Sequence, residues 1–238
     1  MDAQKQGQER MQCGGPRAVV LLSGGQDSTT CLYWALAQGL IVYPIGFDYG
    51  QMHALELECA RNIAGRIGLS YHVFDVRGLL APSSLAGPEQ GKHNEPSRYD
   101  SSLPASFTPG RNLLFLTIAA SFAASVGARV IVTGVCQTDY SGYPDCRLET
   151  IDAMARALSL GVGVGPIFIE TPLMHLSKAQ TWKLAHELGC LDVIVNDTMT
   201  DYNGSQQMNV WGRGTLDNPA SQLRAAGYFT AKREGWIP

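Results

Sequence analysis

Short apolar runs of strand length alternate along this chain with longer segments of helical period. Strands are predicted at 18–22, 41–47, 71–76, 130–134 and 167–169, and helices at 28–38, 52–67, 113–125, 148–160 and 178–188. Because strands and helices take turns, the pattern predicts right-handed βαβ units and a parallel sheet with helices on both faces. The predicted fold class is therefore α/β, a doubly wound Rossmann-like sheet that binds its ligand beyond the carboxyl ends of the strands.

The composition of the 238 residues is that of an ordinary globular protein, with 45% hydrophobic content and a formal net charge of -3. A balance of 18 basic against 21 acidic residues gives no electrostatic signature for a nucleic-acid backbone, so no nucleic-acid partner is predicted. No apolar run reaches the roughly 18 residues that span a bilayer, and no membrane partner is predicted. We interpret the protein as cytoplasmic, with a flexible extension over residues 1–16 and one domain over 17–238.

The cysteines are spread along the chain and form no C-x-x-C motif, so neither a disulfide framework nor a zinc knuckle is predicted from them. They are expected to be free thiols: Cys13, Cys31, Cys59, Cys136, Cys146 and Cys190.

A segment rich in Pro, Ser and Gly, residues 78–110, interrupts the alternation and has no clear period. Loops of about 30 residues are rare in compact domains, and they usually either close over a site or are disordered. Both interpretations are open from the sequence.

A glycine-rich loop with the sequence SGGQDS, residues 23–28, directly follows the first predicted strand. Adjacent glycines allow a tight turn that presents N–H groups, and the serine hydroxyls add donors at the positive end of a helix. This predicts an anion site suited to phosphate, with a plain turn and an Asp or Ser N-cap as the alternative. The loop is neither G-x-G-x-x-G nor a Walker loop. It resembles the PP-loop of ATP pyrophosphatases, which cleave ATP between the α- and β-phosphates.

Polar and aromatic side chains also crowd the ends of two other predicted strands. Residues 47–53 read FDYGQMH, residues 134–147 read GVCQTDYSGYPDCR, and PGRN at 109–112 opens a helix with a cation. A planar purine-like ring needs aromatic faces together with carboxylates or amides that match its polar edge. We therefore expect these segments to converge on one rim of the sheet.

Five further motifs follow SGGQDS in a fixed order: DYGQMH, PGRNLLFL, TDYSGYPDCR, ETPLMHLSKAQ and DTMTDYNG. From about Arg17 to Tyr228 the chain resembles the 7-cyano-7-deazaguanine synthase (QueC) family of PP-loop ATP pyrophosphatases. The resemblance implies an adenine nucleotide alpha-hydrolase-like fold and a homodimer. It also implies conversion of 7-carboxy-7-deazaguanine, ammonia and ATP into the nitrile 7-cyano-7-deazaguanine (preQ0), a queuosine precursor, with release of AMP and pyrophosphate. ATP and Mg²⁺ are the implied cofactors.

The resemblance also implies roles for individual residues. Asp27 would hold Mg²⁺ or the phosphate loop, Lys178 would be a second phosphate cation or a surface lysine, and Arg111 would balance a carboxylate or a phosphate; these three are the candidate catalytic residues. His53 and His175 are acid–base candidates or structural histidines. ATP contacts are implied for Leu22, Ser23, Gly24, Gly25, Gln26, Asp27, Ser28, Phe47, Tyr49 and Gln51. Substrate contacts are implied for Asn112, Asp139, Tyr140, Tyr143 and Asp145, although spacing alone does not separate substrate from nucleotide contacts.

The chain departs from the family at the four cysteines that bind zinc near the C-terminus, because those positions hold Asp201, Thr215, Asn218 and Ser221. Hydroxyls and an amide do not supply the deprotonated soft ligands that zinc prefers, so no zinc is predicted. A knuckle at about 198–228 is expected instead, held by hydrogen bonds among these four side chains. Asn218 and Pro219 would cap a short helix that Gly227 ends.

Three functional interpretations follow. The first is a zinc-independent enzyme with the family's activity, which is favoured because the motifs on the catalytic side are intact. The second is a related adenylating ligase that stops at the amide or transfers the deazaguanine acid to another amine. The third is an inactive protein that binds ATP or a deazapurine.

Overall fold

The sheet of the protein has five strands, all parallel to their neighbours. The computed structural model describes residues 15–51, 55–86, 93, 95–137 and 142–238. The strands lie in the order β3-β2-β1-β4-β5, and the predicted doubly wound α/β fold is confirmed. Their bounds are β1 Arg17–Leu21, β2 Ile41–Asp48, β3 His72–Asp75, β4 Val130–Val132 and β5 Phe168–Glu170.

The predicted helices are present, and further elements follow near the C-terminus. A 3-10 turn spans Pro144–Cys146, and the short strands β6 (Met208–Asn209) and β7 (Gly212–Arg213) form a hairpin. The helices are α1 Gln26–Ala37, α2 Leu55–Arg66, α3 Arg111–Ser125, α4 Leu148–Gly161, α5 Lys178–Glu187, α6 Leu191–Asp197 and α7 Pro219–Arg233. Helix α6 and the hairpin were not predicted.

The two faces of the sheet bury separate apolar clusters, as the alternation of side chains along β1 requires. Val19 packs with Leu116 of α3 and Ile151 of α4 on one face. Val20 points the other way and packs with Leu32 of α1 and Ile63 of α2. Helices therefore cover both faces, and the ends of the strands are left to form a site.

Several predictions from the sequence fall outside the described residues. Most of the N-terminal extension, residues 1–14, is among them, and so are His53, Asp139 and Tyr140. Of the predicted thiols, five lie in the described part of the chain, and these form no disulfide bond: Cys31, Cys59, Cys136, Cys146 and Cys190. No helix among the described residues is long and apolar enough to cross a membrane.

Helix α7 is longer than predicted. The prediction that Gly227 ends it is wrong, because the helix continues to Arg233. Gly227 is needed for packing rather than for termination: a Cβ atom there would lie 2.7 Å from Cγ and 2.9 Å from Cβ of Lys178. Glycine in a helix allows this close approach to α5. The predicted cap is confirmed, since the Asn218 side chain accepts from Ser221 N–H and Pro219 opens the helix.

We expect Gly227→Ala to lower the free energy of unfolding by about 2 kcal/mol, because the added methyl group overpacks the contact with α5. This loss exceeds the roughly 1 kcal/mol that alanine gains over glycine in helix propensity. Urea unfolding measures the change. Gly65→Ala is the matched control, because Gly65 also lies in a helix but a Cβ atom there meets open space. Equal stabilisation of the two variants would contradict the close packing of α5 and α7.

Candidate active site

A cavity of about 380 Å³ lies beyond the carboxyl ends of β1, β2 and β4. The strand order reverses between β1 and β4, which is where ligands bind in open α/β sheets. The predicted convergence of the strand ends is therefore present in the structure. The cavity wall includes thirteen of the predicted site residues: Leu22, Ser23, Gly25, Gln26, Asp27, Ser28, Phe47, Tyr49, Gln51, Arg111, Asn112, Tyr143 and Lys178.

The loop from Ser23 to Ser28 contributes to one part of the cavity wall. The N–H of Ser23 donates to Ser28 Oγ at 3.1 Å, and the two serine hydroxyl oxygens lie 3.0 Å apart. Within the described part of the chain no side chain caps the start of α1 at Gly25. Gln26 N–H, at the first position of this helix, donates to Thr200 Oγ1 at 3.3 Å. The helix start otherwise lacks a capping side chain at Gly25, which is typical of helix N-termini that bind anions.

Gly24 has a structural role in the loop and does not line the cavity. Its φ angle is 86°, in the left-handed region, and a Cβ atom would lie 2.2 Å from the carbonyl oxygen of Glu56. Only glycine fits between the loop and helix α2. Its role is to let the loop turn, so that its neighbours face the cavity.

An ion pair joins the loop to helix α5. Lys178 Nζ donates to Asp27 Oδ2 at 2.7 Å, and the two side chains are 10% and 29% exposed. Lys178 is the first residue of α5, which begins with a capping box made by Ser177 and Gln180. The alternative of a surface lysine is therefore excluded by its burial. Asp27 Oδ1 is buried and has no hydrogen-bond partner among the described residues.

Arg111 occupies another part of the wall, among phenolic side chains. Its guanidinium lies near the phenolic groups of Tyr49, Tyr143 and Tyr202. Burial raises the pKa of Tyr143, whose hydroxyl lies 2.5 Å from Ser106 Oγ. The tyrosines therefore stay neutral and offer hydroxyl groups around one cation.

Two phenylalanine rings and the residue that follows Arg111 also belong to this part of the wall. The rings of Phe47 and Phe115 stack with centroids 4.0 Å apart. The Asn112 N–H donates to Asp145 Oδ2 at 3.1 Å. Asp145 is buried and caps the start of α3 rather than lining the cavity. His175 is exposed and is likewise not part of the wall.

Glu56, on the first turn of α2, also lines the cavity. Burial raises the pKa of its carboxyl to about 7, although the nearby Arg111 cation lowers it. No described residue donates a hydrogen bond to this carboxylate. A second, smaller pocket of about 20 Å³ lies next to the main cavity, and Glu56 lines both.

The long loop between β3 and α3 contributes to the wall in its described part. Leu85, Pro104 and Ser106 line the cavity. The loop is held by hydrogen bonds such as Thr108 Oγ1 to Ser83 Oγ at 2.7 Å. The described part of this loop therefore lies against the cavity.

A buried carboxylate holds the C-terminal knuckle together. Asp201 is 1% exposed, and its Oδ2 accepts from Thr215 N at 2.9 Å and from Asn218 Nδ2 and Ser221 Oγ at 2.8 Å each. Its Oδ1 accepts from Asn203 N at 2.8 Å. The four side chains at the family's zinc positions therefore meet as predicted, with the carboxylate at their centre. Among the described residues no group of three or more His, Cys, Asp or Glu side chains is placed to hold a metal.

The knuckle reaches the phosphate loop directly. Met199 N–H donates to Gly24 O at 2.9 Å, and Gln26 N–H donates to Thr200 Oγ1 at 3.3 Å. The buried Arg224 of α7 donates to the same Thr200 hydroxyl at 2.9 Å. The knuckle thus contacts the glycine-rich loop directly.

The wall residues that were missed from the sequence include Glu56, Thr200, Tyr202 and Arg224. Thr200 and Tyr202 lie in the recognised motif DTMTDYNG, and that motif was a usable signal. Glu56 and Arg224 lie on ordinary amphipathic helices, where nothing in the local sequence separates them from surface charges.

Several solved structures have a similar fold, and their sequences have low identity to this chain. A 4-thiouridine synthetase in complex with RNA and bound ATP has a TM-score of 0.48 and 19% identity, covering 93% of this chain and 53% of its own. A predicted subunit of tRNA methyltransferase from Methanocaldococcus jannaschii has a TM-score of 0.46 and 17% identity, with 73% and 74% coverage. The NH3-dependent NAD synthetase from Campylobacter jejuni has a TM-score of 0.42 and 16% identity, with 82% and 76% coverage. The chain thus spans about half the length of the synthetase that binds RNA.

The family model described as "Queuosine biosynthesis protein QueC" matches residues 17–232. That match includes the phosphate loop, the Arg111 region, Lys178 and the knuckle. The chain belongs to the QueC family of queuosine biosynthesis proteins.

Proposed function

We propose that the protein converts 7-carboxy-7-deazaguanine and ammonia into 7-cyano-7-deazaguanine, with two ATP molecules cleaved to AMP and pyrophosphate. The observation that carries this proposal is one cavity that joins a glycine-rich loop, a partly buried Asp27–Lys178 pair and an arginine among tyrosines. Phosphate charge is accommodated at one part of the wall, and a second anion is accommodated at Arg111. A carboxylate substrate and ATP are the pair of ligands that this distribution of charge fits.

Activation is the step that the phosphate loop serves. A carboxylate is a poor electrophile, so its oxygen attacks the α-phosphorus of ATP, and pyrophosphate leaves with the electron pair of the broken P–O bond. The N–H groups at the start of α1, the Ser23 and Ser28 hydroxyls and Lys178 stabilise the charge that develops on the phosphates. Arg111 orients the substrate carboxylate beside the aromatic pair Phe47 and Phe115.

Asp27 fits the Mg²⁺ that such phosphate chemistry uses, because its Oδ1 is buried and has no hydrogen-bond partner in the described part of the chain. Carboxylate and phosphate oxygens are the ligands that Mg²⁺ prefers. Asp27 would hold the ion, which supplies neutralisation of phosphate charge. Lys178 keeps Asp27 Oδ2 occupied and so leaves Oδ1 for the cation.

The activated acid then reacts with ammonia. Nitrogen bonds to the acyl carbon and AMP departs, which gives the amide. A second adenylation, on the amide oxygen, followed by loss of AMP and protons, gives the nitrile. Both rounds use the same loop and the same cations, Lys178 and Arg111. One cavity therefore suffices for the whole conversion.

Zinc independence is the second part of the proposal. The Asp201 carboxylate accepts hydrogen bonds from all three partner positions and supplies the crosslink that four cysteines and a metal give in other members of the family. A homodimer is also proposed, on the family resemblance alone.

A related adenylating ligase is the second candidate function. It is favoured by one observation: Pro219, Ala220 and Leu223, at the start of the altered knuckle helix, line the same cavity. A changed knuckle therefore changes the surroundings of the reacting groups. Such an enzyme would stop at the amide or use another amine.

We expect metal-depleted protein, resupplied with Mg²⁺ alone, to produce the nitrile from 7-carboxy-7-deazaguanine, ammonium and ATP. Mass spectrometry of the products, together with AMP and pyrophosphate assays, measures this. Amide without nitrile, or turnover only with another amine, supports the second candidate. Binding without AMP release supports an inactive binding protein. Activity that is lost in a zinc chelator and restored specifically by zinc would overturn zinc independence.

A further inference from the structure

A small side pocket opens beside the main cavity and has a different chemical character. Its volume of about 20 Å³ is enough for one molecule of the size of water or ammonia. Its wall carries two carboxylates, and none of its described lining residues is a cation. The lining residues are Tyr49, Gln51, Glu56, Leu85, Met199, Asp201, Tyr202 and Gly204.

The two carboxylates of the side pocket differ in their hydrogen bonding. Both oxygens of Asp201 accept hydrogen bonds from the knuckle. The Glu56 carboxylate accepts none from the described residues, and it lines both the side pocket and the main cavity. The cations Arg111, Lys178 and Arg224 line the main cavity only. Glu56 is therefore the acceptor that a small cation in the side pocket would meet.

We infer that the side pocket binds ammonium and that Glu56 takes its surplus proton, so that neutral ammonia reaches the activated acyl group in the main cavity. This inference rests on the proposed function, because it needs an adenylated carboxyl as the electrophile. The phenolic rings of Tyr49 and Tyr202 add to the cation site, since aromatic faces attract ammonium groups.

The proton balance of the step is complete with the groups named. One proton moves from ammonium to the Glu56 carboxylate, and the freed nitrogen lone pair forms the C–N bond. The bond between the acyl carbon and the AMP oxygen breaks with its electron pair on AMP. The second proton lost from nitrogen leaves with AMP, and the amide results.

The pKa of Glu56, about 7, suits this transfer because the carboxyl changes state near neutral pH. Burial raises this pKa most, and the titratable groups around the carboxyl come from several elements. Arg111 of α3 lowers it, and Tyr49, Tyr202, Tyr71 and Cys59 are the other titratable groups whose charge interacts with Glu56. The carboxylate form, which accepts the proton, dominates above about pH 7.

The test is Glu56→Gln, with Glu58→Gln as the matched control, because Glu58 lies on the same helix and is exposed. Two rates are measured. The first is exchange of labelled pyrophosphate into ATP, dependent on 7-carboxy-7-deazaguanine and without ammonia. The second is product formation with ammonium chloride at constant ionic strength. We expect the Glu56 variant to retain exchange within about threefold, and to need on the order of 30-fold more ammonium for half-maximal product formation, about 2 kcal/mol.

The pH profile adds a readout that a merely structural role would not change. At limiting ammonium the wild-type rate is expected to rise through a transition near pH 7, where Glu56 ionises. In the Glu56 variant that transition is lost, and the rate follows free ammonia up to the pKa of ammonium. Parallel loss of pyrophosphate exchange, or an unchanged requirement for ammonium, would overturn the inference. Absence of exchange in the wild type would instead contradict the proposed function.

Discussion

Replacing Asp27 with asparagine is expected to reduce AMP formation by about a thousandfold, equivalent to roughly 4 kcal/mol of transition-state stabilisation. Asparagine keeps the shape of the side chain but removes the charge that pairs with Lys178 and that would hold Mg²⁺. Lys178, with a side chain only 10% exposed, loses its ion pair with Asp27 beside the phosphates. The measurement is AMP release from 7-carboxy-7-deazaguanine, ammonium and Mg-ATP under saturating conditions.

A control is needed to separate this effect from unfolding. Asp152→Asn is suitable, because Asp152 is an exposed carboxylate on α4 and lies away from the cavity wall. Both variants are compared with the wild type by circular dichroism and thermal unfolding. A folded Asp27 variant that releases AMP within tenfold of the wild-type rate would show that the phosphate loop is wrongly placed.

The secondary-structure elements that could be predicted from the sequence are those whose pattern of apolar residues follows from burial alone. The strands β1, β2 and β4 are apolar runs because both of their faces are covered, and their positions follow directly from that. The hairpin β6–β7 has two residues in each strand, which is too short for a period. Gly227 was interpreted as a helix end because the local sequence does not show that Lys178 packs against it.

The same distinction applies to the candidate site. The phosphate loop, Arg111, Tyr49 and Lys178 come from motifs that directly follow strands or open helices, so topology brings them together. Glu56 and Glu58 are equivalent acidic residues in the local sequence. Only the position of α2 against the glycine-rich loop partly buries Glu56 and leaves Glu58 exposed. Such differences arise from tertiary packing and are not visible in one sequence.

Asp201→Asn is expected to lower the free energy of unfolding by about 3 kcal/mol and to weaken ATP binding. Oδ2 of Asp201 meets the Thr215 N–H and the Asn218 amide, and Oδ1 meets the Asn203 and Ser205 N–H groups. Whichever way an asparagine amide is turned, its NH₂ group replaces one of these two oxygens and faces N–H donors. Those buried donors then lose their acceptor. Urea unfolding and ATP titration measure the two effects.

The role of Asp201 can also be measured from how the free energy of unfolding changes at acid pH. Burial alone raises the pKa of Asp201, but hydrogen bonds from Thr215, Ser221, Asn218 and Ser205 outweigh it and hold the pKa below its usual value. The pKa of Asp201 is thus lower in the folded protein than in the unfolded chain. The ionised carboxylate therefore stabilises the fold fully above the pKa of an unfolded aspartate, and this stabilisation is lost as the pH falls through the pKa of the folded state. The wild type should lose stability below about pH 4 through this group, and the Asp201 variant should lack that part of the acid transition.

The neighbouring Asp217 is the control for the knuckle. It is exposed and accepts from Thr215 Oγ1 at 2.7 Å, so Asp217→Asn is expected to cost less than about 1 kcal/mol. ATP binding is the decisive readout, because Met199 and Thr200, immediately before Asp201, hydrogen-bond to the phosphate loop. A destabilised Asp201 variant that binds ATP with wild-type affinity would show that the knuckle does not position the phosphate loop. Weakened binding that zinc leaves unchanged would show that the carboxylate has taken over the role of the metal crosslink.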